Sequence, residues 1–171
     1  MSVEVWRQVA NGEEACTYAY GVLAARLPAG PERNRAVDLA AAHARARDRA
    51  RAALSTLDAD PPVPAAFQIP FPVENASSAR RLAALVESRL VDVYCRQIPE
   101  VEQSERGRLA TAAAEASARA VSWGGRPTAF PGGLDAEPTA PSGSPASPVV
   151  TDGAAVTPSA PSSPATGSSI D

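Results

Sequence analysis

Lysine is absent from this chain of 171 residues, and histidine and cysteine are scarce. A single histidine excludes a histidine-rich metal site, and two cysteines are too few for a disulfide framework. The longest uncharged apolar run, residues 15–25, has 11 residues, whereas a membrane helix needs roughly 20. The opening MSVEVW has no signal-peptide pattern, so we expect a cytoplasmic protein with no membrane partner.

Alanine and arginine dominate what is present. The chain has 37 alanines, and its 16 arginines stand against 19 acidic residues, for a net charge of −3. So small a charge gives no argument for a polyanionic partner. Many alanines, arginines and prolines together with no lysine are typical of a protein from a GC-rich bacterial genome. Codon usage therefore explains the high arginine content, and no functional role is needed to explain it.

The composition changes at residue 135. Of the 37 residues from 135 to 171, 29 are Ala, Pro, Ser, Thr or Gly, four are acidic and none is basic. Such a segment cannot bury enough apolar surface to offset its ordering entropy. We therefore predict a domain over residues 1–134 and a disordered acidic tail over residues 135–171. A passive solubilising tail is favoured, and a tail that recruits a partner is the alternative.

Residues 1–134 have the pattern of four helices. Ala, Leu, Arg and Glu dominate four segments in which apolar residues recur every three or four positions. The predicted helices span residues 3–27, 32–57, 76–98 and 102–123, and Asn75 is the predicted N-cap of the third. The apolar stripes of the second and fourth helices are mostly alanine, which predicts that helices approach closely there.

The connections between these helices predict their topology. Short turns follow the first and third helices, so each begins an antiparallel hairpin. The longer connection, DADPPVPAAFQIPFPVEN, reaches about 55 Å when extended, more than the roughly 39 Å length of the second helix. Helices 2 and 3 can therefore lie parallel, with Phe67, Ile69, Phe71 and Val73 facing them. The predicted fold is an all-α, ferritin-like four-helix bundle with a long crossover.

Five segments also carry a resemblance to a known family. They are EEACTYAYG at 13–21, HARARD at 43–48, FQIPFPV at 67–73, LVESRLVDVY at 85–94 and AFPG at 129–132. Together they resemble an actinobacterial family of unknown function in the ferritin-like superfamily, over roughly residues 3–134. The resemblance implies a four-helix ferritin-like fold and no particular activity. Many members carry Glu-His where this chain has Glu13-Glu14.

The ligands of a ferritin-like di-iron site are not all present. Such a site takes a Glu from each of two helices and a Glu-x-x-His from each of the other two. His43 has an alanine three positions before it, and Glu115 has an alanine three positions after it. No cofactor is therefore expected. A reduced iron or manganese site formed by Glu13, His43 and Glu87 is the alternative.

A metal-free polar cluster is the favoured interpretation. Glu13 and His43 lie on the apolar stripes of their helices, and Glu87 lies at the edge of the third. Buried carboxylates must be paired or protonated, and Arg47 shares a helix face with His43. We therefore predict a core cluster of Glu13, His43, Arg47 and Glu87 whose charges neutralise one another.

These patterns favour a non-catalytic protein that works by binding and forms a homo-oligomer, with a dimer as one such state. Trp6, which lies outside the apolar stripe, is the candidate contact between copies. A metal-dependent oxidoreductase with a reduced ligand set is the alternative. A further alternative is an arginine-rich nucleic-acid adaptor, although acids on the same helix favour a solvated face. Its candidate face consists of the six arginines of the second helix, Arg33, Arg35, Arg45, Arg47, Arg49 and Arg51. The sequence does not identify a small-molecule or protein partner.

Overall fold

Four α-helices make up the bundle. The computed structural model describes residues 2–62 and 67–127, and no strand is found within these ranges. The helices are α1 (Val3–Ala24), α2 (Pro31–Ser55), α3 (Ala76–Gln97) and α4 (Gln103–Ser122), and a short 3-10 helix, Ile98–Glu100, follows α3. The all-α prediction is confirmed, and each helix ends within three residues of its predicted boundary.

The predicted tail and the domain boundary before it lie outside the described residues. Among residues 2–62 and 67–127, no helix has both the length and the apolar character needed to cross a bilayer.

Local sequence signals explain where the helices begin. Gly30 precedes α2 with φ of 146°, a conformation that residues with a side chain rarely adopt, and Pro31 then occupies the first helical position. Asn75 precedes α3, and its side chain accepts a hydrogen bond of 3.0 Å from the backbone N–H of Ser78. The Ser78 hydroxyl in turn accepts one of 3.1 Å from the backbone N–H of Asn75. This capping box confirms the predicted N-cap.

The second and third helices run in the same direction. Glu32, at the start of α2, forms an ion pair of 2.7 Å with Arg80, near the start of α3. Further along both helices, His43 lies 3.1 Å from Glu87. Residue numbers therefore increase together along the pair, as the long crossover allows. Part of that crossover, residues 63–66, lies outside the described residues.

The crossover packs on one side, as its alternating pattern predicts. Phe67, Ile69 and Phe71 are half-buried and Val73 is buried, whereas the residues between them are exposed. The guanidinium of Arg81 lies over the Phe71 ring, 3.7 Å from its centroid, which adds a cation–π contact. The segment is therefore attached to the bundle by every second side chain.

The alanine stripes do not bring every helix pair together. In the described residues, close packing joins α1 to α2, α3 to α4 and α1 to α3, but not α2 to α4. The close approach predicted from the alanine stripes is found where α2 packs on α1 and where α4 packs on α3. Between α2 and α4 lies a cavity of about 740 Å³, and Trp6, Tyr94 and Leu109 are among the residues that line it. Small alanine side chains do not fill that space.

Candidate functional site

Three polar side chains are buried at the centre of the bundle. Glu13 of α1, His43 of α2 and Glu87 of α3 expose 2%, 3% and 0% of their surfaces. The imidazole of His43 lies between the two carboxylates. Its Nδ1 is 2.7 Å from Oε2 of Glu13, and its Nε2 is 3.1 Å from Oε1 of Glu87. The structure thus places these three residues of the predicted cluster in direct contact.

Helix periodicity explains why these side chains point inward. Residues three, four or seven positions apart share one face of an α-helix. Glu13 lies four residues after Val9 and three before Cys16, both of which are buried. His43 lies seven residues before the buried Ala50. Each polar residue therefore occupies a position at which its helix otherwise carries core residues.

Two tyrosines donate hydrogen bonds to the buried carboxylates. The Tyr20 hydroxyl donates to Oε1 of Glu87 at 2.8 Å, and the Tyr94 hydroxyl donates to Oε1 of Glu13. The indole N–H of Trp123 donates to the Tyr20 oxygen at 2.9 Å. Burial raises the pKa of both tyrosines, and the neighbouring carboxylates raise it further. Both phenols therefore stay protonated and act as donors.

Arg119 of α4 is a further member of the cluster. Its Nε donates to Oε1 of Glu87 at 2.8 Å, so this oxygen receives three donors, together with Tyr20 and His43. The other oxygen, Oε2, is buried and has no hydrogen-bond partner among the described residues. Burial would raise the pKa of Glu87, but the hydrogen bonds and charges of His43 and Arg119 outweigh it and lower that pKa. Glu87 is therefore ionised.

His43 is the second positive charge. Burial lowers the pKa of the imidazole, but the hydrogen bonds with Glu13 and Glu87 outweigh that effect and raise it to about 9. Both ring nitrogens face carboxylate oxygens, which can only accept, so each nitrogen carries a hydrogen at neutral pH. Two carboxylates therefore face one imidazolium and one guanidinium, and the buried charges sum to zero. We call Glu13, His43, Glu87 and Arg119 the central cluster.

Arg47 does not belong to the central cluster, and the prediction that it does is wrong. Its guanidinium lies 3.2 Å from Glu14 and 2.9 Å from Asp48, near the surface of the α1–α2 pair. Arg51 donates to the same Glu14 carboxylate at 2.9 Å. Four residues after His43, the side chain of Arg47 extends toward Glu14 and Asp48 rather than toward the buried carboxylates. The guanidinium that reaches the buried carboxylates comes from α4.

The structure also places the residues of the other sequence hypotheses. Of the arginines proposed as a nucleic-acid face, Arg51 is neutralised by Glu14, whereas Arg45 and Arg49 are exposed. Trp6, proposed as a contact between copies, is half-buried and packs against the core. Its indole also lines the cavity between α2 and α4.

Comparison with known proteins identifies a family. Residues 6–135 match the family described as a domain of unknown function, DUF4439, over most of the chain. This chain belongs to the DUF4439 family. The matched range of the DUF4439 domain includes the central cluster, both tyrosines that donate to it, and α2 to α4.

A solved structure has the same architecture as this DUF4439 chain. It is a conserved hypothetical protein, rv2844, from Mycobacterium tuberculosis, with 26% sequence identity and a TM-score of 0.66. The similarity covers 71% of this chain and 92% of that one. No curated protein matches the chain. The function of this DUF4439 domain must therefore be argued from its own residues.

The central cluster of this DUF4439 domain does not fit the di-iron site of ferritin-like bundles. Such a site takes two histidines, whereas this chain has one, and both ring nitrogens of His43 lie within hydrogen-bond distance of carboxylate oxygens. The guanidinium of Arg119 already lies against Glu87, where its charge repels a cation. In residues 2–62 and 67–127, no group of three His, Cys, Asp or Glu side chains has the geometry of a metal site.

Proposed function

We propose that this DUF4439 protein is a ferritin-like bundle that holds no metal and works as a binding module, not as an enzyme. One observation carries the proposal, namely that His43 and Arg119 lie within hydrogen-bond distance of the carboxylates of Glu13 and Glu87. Two further features support the ferritin-like relationship: α2 and α3 run parallel after a long crossover, and inward-facing carboxylates lie on α1 and α3.

The central cluster supplies its own positive charge. Two isolated carboxylates would be very costly to bury. In a di-iron bundle, metal ions offset that cost. Here the His43 imidazolium and the Arg119 guanidinium do so, each through a hydrogen bond to a carboxylate oxygen. These contacts join α1, α2, α3 and α4 through one set of side chains.

The same groups are poorly suited to acid–base or nucleophilic chemistry. A general base works best with a pKa near the ambient pH and within reach of substrate. His43 is buried and has a pKa of about 9, and both of its nitrogens are engaged. Cys16 is also buried, and burial raises the pKa of its thiol well above the usual value, which keeps it un-ionised. The titratable groups around the cluster therefore favour a structural role for it.

Metal analysis tests this proposal. Protein purified without chelator is expected to contain far less than one iron or manganese ion per chain, measured by mass spectrometry of the elements. Added iron or manganese is expected to leave the Tm unchanged, because a ligand raises Tm only when it binds the folded state.

One or two tightly held ions per chain, with a rise in Tm on adding the same ion, would overturn the proposal. That outcome would favour the metal-dependent oxidoreductase instead.

A further inference from the structure

A cavity of about 740 Å³ lies between α2 and α4, with part of α1 at its base. Its volume is within the range of roughly 300–1,000 Å³ that is typical of small-molecule sites. Most of its wall is apolar, as such sites require. The apolar wall includes Trp6, Val9, Ala50, Ala53, Tyr94 and Leu109.

One positive charge on the wall of this cavity is unpaired. Of the charged side chains that line it, Glu105 bonds to Arg108 at 3.1 Å. Glu115 is 65% exposed and lies 3.8 Å from Arg119, whose shorter contact of 2.8 Å is with Glu87. Arg49 also lines the cavity, but none of the ion pairs among the described residues includes it. Its guanidinium therefore remains available to an anion.

The indole of Trp6 is a second, independent observation. Trp6 lines the cavity, and its Nε1 is buried without a hydrogen-bond acceptor among the described residues. Buried donors without a partner are rare in folded proteins. A small rotation of the indole toward the cavity would let this N–H donate to an oxygen of a bound molecule.

We propose that the cavity binds a free medium-chain fatty acid. The alkyl chain would lie along the apolar wall, and the carboxylate would accept hydrogen bonds from Arg49 and from the Trp6 indole. An apolar wall with a single unpaired cation matches a molecule with one apolar body and one negative charge. The inference rests on the proposed binding role and gives it a ligand class.

Tyr94 connects this cavity to the central cluster. Its ring lines the cavity, while its hydroxyl donates to Glu13. A bound alkyl chain would restrict the ring and thereby favour the arrangement in which that hydrogen bond is made. Fatty-acid binding is therefore expected to raise the Tm of the protein.

Calorimetric titration of the full chain with decanoate, compared with decanol, tests this inference. Decanoate is expected to bind one site per chain, and decanol at least tenfold more weakly, because it lacks the charge. Arg49→Gln is expected to weaken decanoate about tenfold and to leave decanol unchanged. Ala53→Leu, which fills part of the cavity, is expected to weaken both ligands. Arg45→Gln is the matched control, since Arg45 is an exposed arginine of α2 that does not line the cavity.

Three results would overturn the inference: no decanoate binding up to its solubility limit, equal affinity for decanol and decanoate, or unchanged binding in Ala53→Leu with circular dichroism showing an intact fold. Pelleting of the protein with anionic lipid vesicles that is lost in Arg49→Gln would assign the cavity to a membrane surface and so overturn the free acid as ligand. Metal bound at the central cluster would overturn the proposed function alone, whereas absent decanoate binding would overturn only this inference.

Discussion

Arg119→Gln is expected to lower the free energy of unfolding by about 3 kcal/mol, measured by urea denaturation at pH 7. The change removes the guanidinium that donates to Glu87 and leaves the buried charges with a net value of −1. Breaking a buried ion pair costs roughly 3–5 kcal/mol, and the low end applies because 22% of the Arg119 side chain is exposed. Arg47→Gln is the matched control, because its side chain is 19% exposed, much as that of Arg119 is, but its partner Glu14 is 20% exposed and keeps Arg51; this loss is expected to stay below about 1 kcal/mol.

A double-mutant cycle separates charge balance from the loss of a single contact. Glu87→Gln alone leaves a net charge of +1 in the cluster, but Glu87→Gln combined with Arg119→Gln restores zero. The loss of unfolding free energy in the double variant is therefore expected to be about 2 kcal/mol smaller than the sum of the losses in the two single variants. Additive losses, or an Arg47→Gln loss as large as that of Arg119→Gln, would show that the charges of the cluster are not coupled in this way.

The free energy of unfolding is expected to fall by about 2 kcal/mol as the pH rises from 6.5 to 8. The imidazole has a pKa of about 9 in the folded protein and about 6.5 in the unfolded chain. A group whose pKa is raised by folding contributes its full stabilisation below the unfolded value, and that contribution is lost as the pH rises through the folded value. Each pH unit between these limits removes about 1.36 kcal/mol.

The range ends at pH 8 so that ionisation of the two cysteine thiols contributes little to the change in stability. Burial raises the pKa of Cys16 and of Cys95, so their ionisation in the unfolded chain adds a loss of stability at still higher pH. His43→Asn is the control, because no other histidine is present, and its stability is expected to be flat over the same range. If that variant does not fold, Glu13→Gln serves, and a smaller slope is expected. An equal slope with and without His43 would contradict the assignment.

The fold could be predicted from the sequence because the signals that indicate it are local. Period-3.6 patterns give the helices, Asn75 gives the start of α3, and alternate apolar residues give the packed side of the crossover. The length of the crossover allows α2 and α3 to run parallel. None of these signals depends on which side chains meet in the core.

The contacts between polar side chains inside the core were harder to predict from the sequence. Glu13 and His43 stand out because a charged or polar residue occupies a core position on each helix. Arg119 has a weaker signal: it lies three residues after Ala116 and four before Trp123, both of which are buried. That spacing places it on the inner face, yet arginine is long enough to reach either inward or outward from such a position. Only the tertiary arrangement decides that α4, and not the next turn of α2, neutralises Glu87.

The cavity also has no sequence signature. An alanine stripe predicts close helix packing when the facing residues are small. Here α2 and α4 do not pack closely on each other, and alanines of both helices line a cavity together with Trp6, Tyr94 and Leu109. Local periodicity predicts which side of α2 is turned inward, but not the size of the side chains that lie opposite that side.

Nitrogen-15 NMR of the single histidine tests the neutral central cluster most directly. Because His43 is the only histidine of the chain, its two ring nitrogens give the only imidazole signals. At pH 7 both nitrogens are expected to show the chemical shifts of an imidazolium, and titration is expected to have a midpoint near pH 9. A neutral imidazole at pH 7, with one nitrogen lacking a hydrogen, would contradict the account.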